Sequence, residues 1–203
     1  MQVIGIVGGI GAGKTTVVSI FQKIAKVAVI NADEVGHSIL LPKGEAYQEV
    51  VDTFGKEILD EKGQIDRRKL GKIVFSNKEK LKKLNAITHP KIVEKIKRQL
   101  NQYKKEKKYE YILIDAPLLI EVGLKPLVDK VIGVYAEENL RIERIQIRNQ
   151  FTYEEAVRRI RAQRKWEELK KDIDHMIDNS FSYEYTKEQI EKMLIIWQGS
   201  LSS

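Results

Sequence analysis

A layered α/β domain with one parallel sheet of about five strands, flanked by helices, is the fold the sequence predicts. Three observations predict it. Short apolar runs recur along the chain, stretches of helical periodicity separate them, and glycine-rich or carboxylate-bearing turns follow them. Strands covered on both faces read as continuous apolar runs, and alternation with helices supplies the cover. Right-handed crossovers then bring the strand ends and their loops to one edge of the sheet.

Val3–Val7 is apolar, rich in β-branched residues and ends in glycines, so it reads as a buried strand. Thr15–Ile24 has helical spacing, and Val27–Ile30 is a second buried strand. Asp33–Leu41 reads as a helix closed by Pro42 and Gly44. Glu45–Phe54 reads as another helix, stopped at Gly55. Gln64–Asp66 is a short connector. From Arg67 to Tyr103 the pattern is mostly helical, with a break expected at His89-Pro90, because the residue before a proline is pushed out of the helical region. Lys104–Lys108 is a basic, solvated helix end. Tyr111–Ile114 is a third strand, ending at Asp115, and Val131–Tyr135 is a fourth. Glu137–Asn149 and Tyr153–Gln163 read as helices, His175–Ile177 as a short fifth strand and Glu184–Trp197 as a closing helix. There is no internal repeat and no low-complexity linker.

A chain of 203 residues suits one domain with a sizeable core, and 42% hydrophobic with 32% charged residues is an ordinary globular balance. The chain has no cysteine, which excludes disulfides and thiolate metal sites. No apolar run is long enough to span a bilayer, and no basic residue precedes Lys14, so the expectation is a cytoplasmic protein without a secretory signal. The net charge of +7 is concentrated late in the chain: Arg141 to Lys171 holds ten basic and five acidic residues. Such an excess fits a phosphate-rich ligand or a nucleic acid. No aromatic stacking pattern or recognisable module supports the nucleic acid.

Gly8-Gly9-Ile10-Gly11-Ala12-Gly13-Lys14-Thr15 matches G-x-x-x-x-G-K-[ST] between a strand and a helix. Glycines let the loop turn its N–H groups onto phosphate oxygens at a helix N-terminus. Lys14 supplies charge to the β- and γ-phosphates, and the Thr15 hydroxyl is placed for Mg²⁺. The motif predicts a P-loop nucleotide-binding fold without naming the reaction. Asp115, at the end of its strand, is the second candidate for Mg²⁺, although many strands end in aspartate as a turn former. Asp33 follows the second strand and should reach the same sheet edge. It suits a catalytic base that takes a proton from a hydroxyl acceptor. It equally suits a helix N-cap, and the residues alone leave both open. Arg141, Arg144 and Arg148 share a helix face, and Arg158, Arg159 and Arg161 follow on the next helix. Arginines so placed can clamp phosphate or form a lid that excludes water; solvated surface pairing is the alternative for about half of them.

The chain resembles the dephospho-CoA kinase family over nearly its full length. The opening Gly5–Thr16 is similar to that family's P-loop, and Asn31-Ala32-Asp33 to its Asp-Ala-Asp. Asp66-Arg67-Arg68-Lys69-Leu70 with Ile73-Val74-Phe75, Leu84–Pro90 with its His-Pro turn, and Asp115-Ala116-Pro117-Leu118-Leu119 follow in the family's order. Arg159-Ile160 with Gln163 is similar to its lid and Ile177-Asp178-Asn179 to its late Ile-Asp-Asn. Two residues depart: Asn31 stands for the first Asp, and Asn149 follows Arg148 where an Asp is usual.

The resemblance implies transfer of the ATP γ-phosphate to the ribose 3′-hydroxyl of dephospho-CoA, with ATP as co-substrate and Mg²⁺ as cofactor. It implies Asp33 and Lys14 as catalytic residues, and Gly9, Gly11, Ala12, Gly13, Lys14, Thr15, Thr16, Arg148 and Asn179 at ATP, with Asn179 near the adenine. It implies Thr15 and Asp115 at the metal, and Asp33, Arg67 and His89 at the acceptor. It further implies a core (1–42, 109–140 and 172–203), a helical CoA-binding region (43–108) and a lid (141–171), with neither nucleic acid nor membrane as partner. A different P-loop kinase, for a nucleoside or nucleoside monophosphate, is the alternative. A regulatory GTPase would need Asn-Lys-x-Asp, and Asn77-Lys78-Glu79-Lys80 lacks the final Asp.

Overall fold

The computed structural model describes residues 1–199; residues 200–203 of the expected core segment lie outside the described residues. Five parallel strands, β1 (Gln2–Val7), β2 (Val27–Asn31), β3 (Tyr111–Asp115), β4 (Lys130–Tyr135) and β5 (His175–Asp178), form one sheet in the order β2-β3-β1-β4-β5. The register brings Asn31 level with Asp115, and Asp115 level with Ile6 one residue before the end of β1. The carboxyl ends of β1, β2 and β3 therefore finish side by side.

The three central strands, β1, β3 and β4, bury both faces by simple alternation. Ile4, Ile6, Leu113, Ile132 and Val134 point to one side. There they meet Val17, Ile20 and Phe21 of α1 (Lys14–Ile24) and Ile190, Met193 and Leu194 of the last helix, Tyr183–Gly199. Val3, Val7, Ile112, Ile114 and Val131 point to the other side. They meet Val35 of α2 (Ala32–Ser38), Leu169, and Ile96 and Leu100 of a long helix. Ile20, Phe21, Ile112 and Leu113 are wholly buried, each contributing about 1.5–3 kcal/mol relative to exposure.

A third cluster lies outside the sheet. Val50 and Phe54 of α3 (Tyr47–Phe54) and Leu70 and Val74 of α4 (Arg67–Phe75) pack on Ile39, Ile58 and Ile87. Here the structure corrects the expected break at His89-Pro90: α5 runs without interruption from Lys78 to Glu106 with Pro90 inside it. Proline removes one backbone hydrogen bond and crowds the preceding turn, at about 3 kcal/mol. Packing outweighs that here. Ile87 is buried in the third cluster, Ile96 and Leu100 are buried under the sheet, and Ile92 between them touches both. The string at Asn77 is this helix's cap, its Oδ1 accepting from the N–H groups of Glu79 and Lys80 at 2.9 and 3.1 Å.

Two further helices, α6 (Glu138–Asn149) and α7 (Tyr153–Arg161), enclose a small cluster of Ile142, Ile145, Ala156 and Ile160. Thr152 and Glu155 form a reciprocal capping box at the start of α7. A short helix that the periodicity did not predict, α8 (Trp166–Leu169), packs Leu169 under the sheet, and α9 (Tyr183–Gly199) closes the described chain. Among the described residues no helix is long and apolar enough to cross a membrane.

Candidate active site

Between β1 and α1 the chain turns through Gly8–Gly13, with Gly11 and Gly13 at φ 78° and 92° in the left-handed region. Polar side chains hold this loop from behind. Arg141 Nε donates to the Ile10 carbonyl at 2.9 Å, and Arg144 to the Gly11 carbonyl at 3.3 Å. The Asn179 amide donates to the Ala12 carbonyl at 2.9 Å, while its oxygen accepts from the Thr186 hydroxyl at 3.0 Å. A Cβ on residue 13 would lie 1.9 Å from that amide nitrogen, so only glycine leaves room for the brace. In a trans peptide the next N–H points opposite to the carbonyl. Bracing the carbonyls of Ile10 and Ala12 therefore turns the N–H groups of Gly11 and Gly13 forward. The N–H of Ala12 closes a turn onto the Gly9 carbonyl at 3.1 Å.

In front of the loop lies a cavity of about 650 Å³. Gly9, Gly11, Gly13, Lys14, Thr15, Thr16, Asn31, Asp33, Asp115, Arg144 and Arg148 all line it. Lys14 Nζ donates to the Gly8 carbonyl at 3.1 Å. Burial pulls its pKa below the ordinary lysine value, and the charges of Asp115 and Asp33 oppose that pull. Burial raises the pKa of Asp115; Lys14 draws it back, and the negative charge of Asp33 pushes it up again. One buried oxygen of Asp115, Oδ1, has no hydrogen-bond partner among the described residues.

Of the two readings left open at Asp33, its neighbour removes the cap. Asn31 Oδ1 accepts from the N–H groups of Asp33 and Glu34 at 2.9 and 3.2 Å, which makes Asn31 the N-cap of α2. Asparagine and aspartate cap about equally well, so this departure keeps the cap. The Asp33 carboxylate makes no hydrogen bond or ion pair among the described residues and is exposed at the cavity.

Residues 2–184 match the family model described as dephospho-CoA kinase. A curated dephospho-CoA kinase of Carboxydothermus hydrogenoformans is 46% identical over 98% of this chain and 95% of its own length. The chain belongs to the dephospho-CoA kinase family. A dephospho-CoA kinase of Bacillus licheniformis is 42% identical over 97% of both chains. The solved dephospho-CoA kinase from Campylobacter jejuni matches with a TM-score of 0.70 at 32% identity, covering 98% of each chain. Protein TT1252 from Thermus thermophilus gives 0.80 at 28%, covering 96% of each. A shikimate kinase from Acinetobacter baumannii, at 13% identity and a TM-score of 0.51, shares the fold alone. As a dephospho-CoA kinase family member with a P-loop fold, the chain is a phosphotransferase.

For this dephospho-CoA kinase family member the structure gathers most of the expected site residues into one cavity, but not all. Asn179 is buried behind the loop, its amide engaged at both ends, and does not line the cavity. Arg67 is exposed at the start of α4 behind its cap, Asp66. His89 is half-buried in α5, and burial lowers its pKa. Neither lines the cavity. Arg148 does, and its Nε donates to Asn149 Oδ1 at 3.0 Å, the pairing that the second departure provides. Arg141 and Arg144, expected as phosphate clamps, are occupied on loop carbonyls. Their spacing showed a shared face, but nothing in it showed which acceptor that face would meet. Arg159 lies over the Phe151 ring at 4.4 Å, and Arg164 pairs with Asp172 at 2.9 Å, as surface arginines do.

Proposed function

We propose that this chain transfers the γ-phosphate of ATP to the ribose 3′-hydroxyl of dephospho-CoA, giving coenzyme A and ADP, with Asp33 as the base. One observation carries the reading. Asn31 takes over the capping of α2, which leaves the Asp33 carboxylate uncommitted in the cavity that holds the phosphate loop and Lys14. The forward N–H groups of Gly11 and Gly13, with Lys14 and Arg148, grip the β- and γ-phosphates. Asp33 orients the acceptor hydroxyl and takes its proton as the 3′-oxygen bonds to the γ-phosphorus. The bond from that phosphorus to the β–γ bridging oxygen breaks, and the electron pair leaves with ADP. Lys14 stabilises the charge that spreads over the transferred group.

The residues present fit Mg²⁺. Thr15 offers a hydroxyl and Asp115 an unpartnered buried oxygen, while no cluster of three ionisable ligands stands among the described residues. A cation there would take its remaining oxygens from phosphate and water, as Mg²⁺ does. When bound, Mg²⁺ neutralises charge on the phosphate oxygens.

Asn179 serves ATP through the loop it braces. The region 43–108, with Arg67 and His89, receives the CoA end of the acceptor. The segment 141–171, carrying Arg158, Arg159 and Arg161, closes over the phosphates and excludes water. With small, soluble substrates, the reading goes with a cytoplasmic enzyme that has neither nucleic acid nor membrane as partner. Incubation with MgATP and dephospho-CoA, followed by mass spectrometry and NMR of the product, tests the reading. Coenzyme A phosphorylated at the 3′ position is expected. Phosphorylation of uridine, cytidine or a nucleoside monophosphate, with no coenzyme A formed, would overturn it.

A further inference from the structure

Ile10, at the tip of the phosphate loop, is gripped at both of its backbone polar groups. Arg141 Nε donates to its carbonyl at 2.9 Å, and its N–H donates to Gln163 Oε1 at 2.8 Å. The two gripping side chains are themselves joined, Arg141 donating to the same Gln163 oxygen at 3.3 Å. The result is a closed ring of three hydrogen bonds around one residue. Gly9 makes room for it: a Cβ there would lie 2.3 Å from an Arg141 nitrogen and 3.0 Å from Gln163 Oε1.

Arg141 stands in the first turn of α6, and Gln163 lies just beyond the end of α7. The ring therefore ties the loop tip to both ends of the α6–α7 unit. The Ile10 side chain packs on that unit's own apolar cluster, adding a second attachment at the same residue. Arg144 and Arg148 lie on α6, and Arg158, Arg159 and Arg161 on α7. A shift of the unit thus moves the loop tip and the arginines together. Beyond the ring is open volume. Arg141 and Gln163 also line a second cavity of about 830 Å³, which extends to Tyr135 and Trp166 and gives both side chains space to swing into.

We propose that Arg141 and Gln163 form a latch on Ile10 that holds the phosphate loop in its anion-binding shape and sets the α6–α7 unit in register with it. They are positioning residues, acting through Ile10. The kinetic consequence rests on the kinase reading, whereas the latch itself does not.

The test uses the full chain with Gln163→Leu, which keeps size and loses the acceptor, Gln163→Glu, which keeps the acceptor, and Arg141→Met. Hydrogen exchange at the Ile10 amide reads the latch directly, and KM for ATP against kcat reads its consequence. Gln163→Leu is expected to speed Ile10 exchange and raise KM for ATP about tenfold, the worth of one hydrogen bond. Its kcat is expected to stay within about threefold of the wild type. Gln163→Glu is expected to restore slow Ile10 exchange. Adding Arg141→Met to Gln163→Leu should multiply KM by less than the two single effects together, because both act on one residue. Unchanged Ile10 exchange in Gln163→Leu and Arg141→Met would overturn the latch. Faster exchange with KM for ATP unchanged, or with only the melting temperature lowered, would overturn its positioning role. If dephospho-CoA proves not to be the acceptor, titration with ADP replaces KM and the exchange result stands. If Gln163→Leu fails to fold, Arg141→Met carries both readouts.

Discussion

Behind the phosphate loop, Asn179, Arg144 and Arg141 give their donors to the carbonyls of Ala12, Gly11 and Ile10; in front of it, among the described residues, the Asp33 carboxylate forms no hydrogen bond and Asp115 leaves a buried oxygen unpartnered. Both sides are built from polar and charged side chains. Behind the loop those groups satisfy one another and fix a shape. In front, the buried Asp115 oxygen lacks a partner, which costs stability, and the Asp33 carboxylate stands exposed, so both are available to a polyphosphate and a hydroxyl. Substitutions should therefore split by side. Changes in front should remove activity and spare the fold, and changes behind should weaken the fold first.

Among the front residues other than Asp33, the largest effect is expected at Lys14. Lys14→Ala should lower turnover by about 10²–10³-fold, the usual loss when one group that stabilises transition-state charge is removed. Its melting temperature should hold or rise, because burial of the Lys14 ammonium already opposes its charge. Steady-state kinetics beside a thermal melt check both, and a melt that collapses with activity would erase the distinction between the two sides.

From behind, Asn179→Ala leaves the Ala12 carbonyl with only a long contact from Arg144, at 3.5 Å. A loss of about 1–3 kcal/mol in denaturant unfolding is expected. KM for ATP should rise as the loop loosens, with kcat less affected. A variant as stable as the wild type would show that the brace is incidental.

The smallest effect concerns Asp115 and carries a sign. Its pKa is held above the ordinary carboxylate value, chiefly by burial, so the charged form costs stability above that pKa and the cost disappears as pH falls through it. Asparagine carries no such cost. Asp115→Asn should therefore melt slightly higher than the wild type at neutral pH, and the gap should close on acidification, while Mg²⁺-dependent turnover falls. Melting curves across a pH series measure this; a gap that widens on acidification would contradict it.

The sequence displayed the front of the site more fully than the back. Glycine spacing before Lys14 and an aspartate after an apolar strand are local signals, and parallel topology carries them to one sheet edge. The braces are nonlocal: Asn179 meets Ala12, and Gln163 meets Ile10, across most of the chain. An arginine drawn to a backbone carbonyl has the same spacing as one drawn to phosphate. Asp33 was ambiguous for a different reason. A carboxylate near a helix start serves as cap or base with equal ease, and the position of the Asn31 side chain removes only the cap. The uninterrupted α5 was hidden because the local penalty at Pro90 is visible in the chain, whereas the packing of Ile87, Ile92 and Ile96 that outweighs it belongs to the tertiary structure. The central strands were legible because burial on both faces leaves a continuous apolar run. The short α8 offers too few residues for any period to show.

The most direct test of the account compares Asp33→Asn with the wild type in two assays, ATP binding by titration and turnover with saturating dephospho-CoA. The account predicts turnover lower by about 10²–10⁴-fold with ATP affinity nearly unchanged. Equal losses in binding and turnover, or turnover close to the wild-type rate, would contradict it.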